Sequence, residues 1–185
     1  MIKYLKNFET ILTPNQISII GFASTLLAAA FILNHFFFLA ALATLMHLIC
    51  DGLDGYLARK LNKSSQLGFL LDHVFDRLSD IILFPAIGYA LGMLLPGILI
   101  ALTCLFSSYV GVLNKVVGLS QDKSGLFAKV YRYELLIIML VIFSIDNTIR
   151  VQLYEYFCYG SLLIGGITII GRLKTLFTTV LNREE

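Results

Sequence analysis

This chain is poor in charge. Only 14% of its 185 residues are Asp, Glu, Lys or Arg, against 58% hydrophobic, and the mean hydropathy is +0.84. A soluble globular domain carries about 25% charged residues, so this composition belongs to an integral membrane protein. Cysteine is scarce too. Cys50, Cys104 and Cys158 lie far apart in apolar stretches with no CxxC pair, and buried free thiols are expected. The N-terminal MIKYLKNFETILTPN lacks the apolar core and small-residue cleavage site of a signal peptide. No internal repeat, low-complexity run or long linker interrupts the chain. A single membrane-embedded domain over residues 1–185 is expected.

A spanning helix needs about 20 residues. The apolar runs predict six of them, about Ile17 to Leu33, Phe36 to Leu61, Leu67 to Met93, Gly97 to Val117, Leu126 to Ile145 and Val151 to Val180. The turn between the third and fourth is expected at Gly92 to Gly97, while Pro85 is expected to kink a helix rather than end it. Ahead of the first span, Ile2, Leu5, Phe8 and Leu12 recur at helical spacing. That pattern predicts a short amphipathic helix on the membrane surface, a frayed basic tail being the alternative. The expected fold is thus all-α, with a juxtamembrane helix (1–14) and a six-span bundle (15–181).

Charge placement supports this count. With six spans, 12 of the 14 basic residues fall on one side; Arg150 lies opposite and Arg77 within a span. Basic loops stay cytoplasmic, so both termini are expected inside. Tyr154, Tyr156 and Tyr159 near the other end suit an interfacial aromatic belt.

Against this apolar background, five of the twelve acidic residues crowd into Asp51 to Asp80, DGLDGYLARKLNKSSQLGFLLDHVFDRLSD. A carboxylate inside a bilayer is costly unless paired, hydrated or metal-bound. Asp51 and Asp54 are i, i+3 on one helix, and Asp72 and Asp76 are i, i+4 on the next, which runs the opposite way. Both pairs reach similar depths beneath the cytoplasmic surface. Converging carboxylates repel unless cations lie between them, and oxygen-only donors favour hard ions such as Mg²⁺ or Mn²⁺. Two such ions commonly clamp a phosphate or diphosphate. Gly55, Ala58 and Gly68, one turn from the acids, leave space for a bulky ligand, although small residues also serve close helix packing in membranes.

The pattern D-x₂-D-G-x₂-A-R-x₈-G-x₃-D-x₃-D is met by Asp51, Asp54, Gly55, Ala58, Arg59, Gly68, Asp72 and Asp76. It resembles the signature of the CDP-alcohol phosphotransferases, and Thr13-Pro14-Asn15 resembles the segment leading into that family's first span. The resemblance implies transfer of a phosphatidyl group from a CDP-linked lipid, often CDP-diacylglycerol, to a small alcohol, with release of CMP. It implies that Asp51, Asp54, Asp72 and Asp76 hold two Mg²⁺ or Mn²⁺ ions, with Asp76 also the general base. It further implies a CDP groove from Asn15, Asp54, Gly55, Ala58, Arg59 and Gly68, though a juxtamembrane Arg59 also serves topology alone. A homodimer among membrane lipids is implied, in the inner membrane of a bacterial or archaeal cell with a cytoplasmic active site. No nucleic-acid partner is expected.

The acceptor is read from Ser108 to Glu134. Lys115, Lys129 and Arg132 are candidates for an acceptor anion pocket, or else ordinary cytoplasmic charge. Family members that take a phosphorylated acceptor resemble SYVRARAE followed by GLxERxER. Here Ser108-Tyr109-Val110 and Gly125-Leu126-Phe127 fit, but Gly111 and Ala128 replace an arginine and an acid. A phosphorylated polyol (glycerol phosphate or inositol phosphate) is expected, an uncharged or amino alcohol being the alternative. Asp80 either extends the acid cluster or pairs with Arg77; Glu134 is placed to balance Lys129 or Arg132; His47 suits a helix contact; and His73 is left unassigned. Two rival classes are a divalent-cation or proton transporter and a silent lipid-binding scaffold. Metal-dependent CMP release from a CDP-lipid is the expected outcome, and ion flux without lipid turnover would point to transport instead.

Overall fold

A computed structural model describes residues 13–60, 65–119 and 129–184. Among these residues the chain forms six α-helices: α1 Pro14–Leu33, α2 Phe37–Lys60, α3 Gln66–Ala90, α4 Leu94–Val116, α5 Lys129–Ile145 and α6 Arg150–Glu184. The amphipathic helix expected over 1–12 and the Gly125-Leu126-Phe127-Ala128 segment lie outside the described residues.

Local chemistry sets the boundaries. The helix α1 starts three residues ahead of Ile17 because Thr13 and Gln16 form a reciprocal capping box. The Gln16 amide N–H donates to the Thr13 hydroxyl (3.4 Å), the Thr13 N–H donates to the Gln16 side chain (2.8 Å), and Pro14 takes the first helical position. Three helices end alike, on a residue with positive φ: His35 (59°) after α1, Gly92 (72°) after α3 and Gly118 (81°) after α4. In each case the next amide reaches back to a carbonyl five residues earlier: Phe36 to Phe31 at 2.8 Å, Met93 to Gly88 at 2.6 Å and Leu119 to Asn114 at 2.9 Å. Glycine adopts this conformation freely, whereas His35 does so at a cost of about 1–2 kcal/mol. The tight Leu91–Met93 turn lets α4 begin at Leu94, earlier than expected, with Pro96 in a first turn where its missing N–H has no helical partner to lose. Pro85 lies inside α3, which continues past it.

The bundle buries a set of polar side chains within a mostly apolar core and turns large apolar side chains outward as well. Ser24, Thr25, Thr44, His47, Asp54, Ser79, Asp80, Ser107, Asn114 and Arg132 are buried, while leucines, isoleucines and phenylalanines are exposed along every helix. Lipid supplies no hydrophobic drive between helices, so such bundles pack through small residues and internal polar contacts. This is an all-helical integral membrane protein. Helices α1, α2, α4 and α6 are long and apolar enough to cross a bilayer. Over its length α3 carries Asp72, Asp76, Arg77 and Asp80, and α5 has 17 described residues, so neither meets that standard by composition and length alone.

Helix α1 packs along α2 and α3, α4 lies on α3 and α6, and α5 lies on α2. Gly21 permits the close approach of α1 to α2, since a Cβ there would fall 2.9 Å from Cys50 Cβ. Across α1 and α3, Phe22 stacks on Phe75 with centroids 4.7 Å apart, and the Thr25 and Ser79 hydroxyls meet at 3.0 Å. All three cysteines are free and buried. One tyrosine departs from the expected belt. Tyr154 is fully buried and donates to the Phe84 carbonyl at 3.0 Å, because Gly97 opens a path between α3 and α4; Tyr156 and Tyr159 remain exposed.

A Cβ at Gly97 would sit 2.5 Å from the Phe84 carbonyl oxygen and 2.9 Å from the Tyr154 hydroxyl. Gly97→Ala should therefore cost about 1–3 kcal/mol by overpacking, seen as a lower thermal midpoint in detergent. Gly160→Ala, where a Cβ meets nothing within 4 Å, should leave the midpoint unchanged or raise it.

Candidate active site

Antiparallel α2 and α3 bring their acids to one cleft, as the spacing predicts. Asp51, Asp72 and Asp76 each offer a carboxylate oxygen within 4.8 Å of the others. Their side chains are 24%, 40% and 16% exposed, so the cleft opens at the Asp72 side. Asp54 lines the same cleft but is drawn toward α1, where the Ser18 hydroxyl donates to its Oδ2 at 2.5 Å. Ser18, Gly21, His47 and Phe75 complete the lining around a cavity of about 10 Å³, roughly the space of one water.

A cation already stands among these acids. The Lys129 ammonium, from the first turn of α5, lies 2.6 Å from Asp51 Oδ1 and also contacts Asp76 Oδ1. Arg77 approaches Asp76 Oδ2 at 3.4 Å from the other side. The donor set is therefore oxygen-only, clustered, and arranged around positive charge. That is what a hard divalent cation requires.

Gly55, Ala58 and Gly68 flank the acids along α2 and α3 but do not line the acidic cavity. Gly68 opens the third helix beneath Asn15, whose Oδ1 would lie 3.1 Å from a Cβ at that position. The Gly68 amide N–H donates to the Ser65 cap at 3.0 Å. Arg59 is exposed and folds back over Gly55, its guanidinium 3.5 Å from where a Cβ would be. Ala58 lies one turn beyond Asp54 and is half-buried.

The three basic candidates do not converge in one pocket. Lys115 is exposed, with its ammonium over the Phe69 ring at 4.5 Å. Lys129 is taken up by the acid cluster. Arg132 is buried, with Nη2 3.0 Å from Asp80 Oδ2. The reason is electrostatic: buried acids on α2 and α3 draw in the bases that α5 presents. Glu134 is exposed, and the acids that meet Lys129 and Arg132 are Asp51, Asp76 and Asp80. Asp80 does pair with Arg77, at 3.5 Å, but Arg132 is nearer. His47 is a helix contact as expected, with Nδ1 3.1 Å from the Gly21 carbonyl, and it also lines the cleft. His73 lies tilted against Phe69, ring centroids 4.0 Å apart, and places Nδ1 3.5 Å from Asp72.

Two features escaped sequence reasoning. Ser18 follows Asn15 by three residues and so shares its face, a weak signal for a contact to α2. The Arg132–Asp80 pair was signalled by matched spacing, Lys129 to Arg132 on one helix and Asp76 to Asp80 on another, once the two helices are known to be neighbours.

The family model for CDP-alcohol phosphatidyltransferases matches residues 11–177. The chain belongs to this family. It is a CDP-alcohol phosphatidyltransferase, an enzyme of phospholipid biosynthesis. An archaetidylinositol phosphate synthase of Pyrococcus horikoshii is 36% identical over 147 residues, which is 77% of this chain and 74% of that protein. The crystal structure of Mycobacterium tuberculosis phosphatidylinositol phosphate synthase with CDP-DAG bound superposes with a TM-score of 0.78 at 21% identity, over 92% of this chain and 89% of that one. The same synthase in complex with manganese and citrate superposes with a TM-score of 0.74 at 23% identity, over 90% and 83%. At these identities the two structures establish a shared fold.

Removing the tethered cation should expose the repulsion it relieves. Lys129→Met should destabilise the protein in chelator by about 3–5 kcal/mol, the cost of stranding buried charge. Millimolar Mn²⁺ should then raise the thermal midpoint of the variant more than that of the parent.

Proposed function

We propose that the chain transfers the phosphatidyl group of CDP-diacylglycerol to a phosphorylated polyol, with Asp76 as general base. The observation that carries this is the Asp51–Asp72–Asp76 cluster gathered around a positive charge. Asp51, Asp54, Asp72 and Asp76 would hold two Mg²⁺ or Mn²⁺ ions, which when bound offset charge on the diphosphate and on departing CMP. Manganese in the structure of the mycobacterial synthase, and CDP-DAG in another, support that reading.

The chain's own residues do the rest. The bond from Ser18 turns Asp54 toward α1, leaving Asp51, Asp72 and Asp76 facing one another. Asn15, Gly55, Ala58, Arg59 and Gly68 line the way in for the cytidine and diphosphate, where bare Cα atoms let a bulky ligand approach the helix backbones. Asp76 takes the proton of the acceptor hydroxyl as its oxygen forms the new bond to phosphorus, and the bond to CMP breaks. Lys129, which stands among the acids, supplies positive charge for the acceptor's phosphate. The inositol phosphate chemistry in the names of both relatives favours that class of acceptor. Gly111 and Ala128, in place of an arginine and an acid, keep an uncharged or amino alcohol as the second reading.

All six helices are taken to span the membrane, with both termini and the cleft cytoplasmic, since basic residues gather at that end. α3 tolerates its acids because they face the bundle, and α5 gains length from the residues ahead of Lys129. A homodimer follows from the family resemblance.

Purified protein incubated with CDP-diacylglycerol, Mn²⁺ and a panel of alcohols, with the lipid product identified by mass, tests the reaction and the acceptor together. Inositol phosphate or glycerol phosphate should give the dominant product. Asp76→Asn should lower turnover by about 10²–10⁴-fold with an unchanged thermal midpoint in Mn²⁺. Undiminished turnover in that variant would falsify the assigned base.

A further inference from the structure

Two acids one turn apart on α3 meet two bases one turn apart on α5: Asp76 with Lys129, and Asp80 with Arg132. The two rungs differ in setting. Asp76 lines the cleft, and its rung must open for the carboxylate to serve a substrate. Neither Asp80 nor Arg132 lines the cleft, and their side chains are 2% and 8% exposed. The second rung can therefore stay closed while the first exchanges partners.

Asp80, like Asp76, is approached by a second base as well. Arg77 Nη1 lies 3.5 Å from the same Oδ2 that Arg132 approaches, and that Arg77 nitrogen donates to the Ser108 hydroxyl on α4. One carboxylate thus ties α3, α4 and α5 together. The tie matters because α5 packs closely on α2 but not on α3, and a groove of about 360 Å³ lined mainly by apolar side chains separates it from α6. Long charged side chains bridge the α3–α5 gap where backbone packing does not. A buried pair of this kind resists opening, since parting it would strand a charge in an apolar bundle.

We propose that Asp80 is a positioning residue for phosphatidyl transfer: through Arg132 it fixes α5 so that Lys129 is presented to the Asp51–Asp76 carboxylates. It touches no reacting atom. Its kinetic consequence rests on the function proposed above, but its structural consequence does not, and the two are tested separately.

The structural test is acylation of detergent-solubilised protein with a water-soluble amine reagent, read by mass at Lys129 relative to exposed Lys115. Asp80→Asn should raise relative labelling of Lys129 severalfold, and Arg132→Lys should do so to a smaller degree. Exchanging the pair, Asp80→Arg with Arg132→Asp, should restore protection. Continued protection of the Cys104 and Cys158 thiols shows that the bundle is intact; if Asp80→Asn fails to fold, Arg132→Lys carries the test. Unchanged Lys129 labelling in a folded variant overturns the proposal. In the transfer assay, the acceptor KM should rise on the order of tenfold or more while the CDP-diacylglycerol KM stays level. An equal rise in both would mark a general structural defect and would also overturn it. If the parent protein turns over no CDP-lipid, the function reading fails while the labelling still decides the role of Asp80.

Discussion

Carboxylates that face one another across two helices need positive charge between them, and most of the structure follows from that need. Asp51, Asp72 and Asp76 bring carboxylate oxygens within 4.8 Å of one another, and at that outer limit a pair of unit charges repels by about 3–4 kcal/mol at an effective dielectric of about 20. Several such pairs would consume much of the roughly 5–15 kcal/mol by which a protein is stable. The chain answers with cations of its own, Lys129 within the cluster and Arg77 beside it. Neutralisation is thus a requirement of folding, whatever chemistry the cleft performs.

The acids and the bases are held by different physics. α1, α2 and α3 meet through Gly21, a stacked Phe22–Phe75 pair and a Thr25–Ser79 hydroxyl contact. Those contacts are short-ranged and involve no charged group. α5 is joined to α3 by ion pairs instead, and stands apart from α6 across an apolar groove. A rigid acidic wall therefore faces a basic helix whose partners can exchange, an arrangement suited to a site where charged substrates arrive and leave.

Much of this was legible in the residues. Asp51, Asp54, Asp72 and Asp76 announce shared faces by spacing alone, and the apolar runs locate six helices to within a few residues. The errors at helix ends have local causes that hydropathy does not register: the Thr13–Gln16 capping box, and the left-handed cap at Gly92. Tyr154 was misplaced because an aromatic near a span's end suits the interface equally well. Only the gap left by Gly97 on another helix draws it inward.

The amino-acid order by itself determined which groups share a face, where the apolar helices lie, and which family the chemistry belongs to. These are consequences of helical periodicity and solvation, which act over one turn or one span. Tertiary structure alone decided the partners of the bases. Lys115, Lys129 and Arg132 look like one pocket in the sequence, yet they meet an aromatic ring, an acid pair and a buried carboxylate on other helices. Ion pairing depends on distances between helices, and no pattern within a single helix contains them.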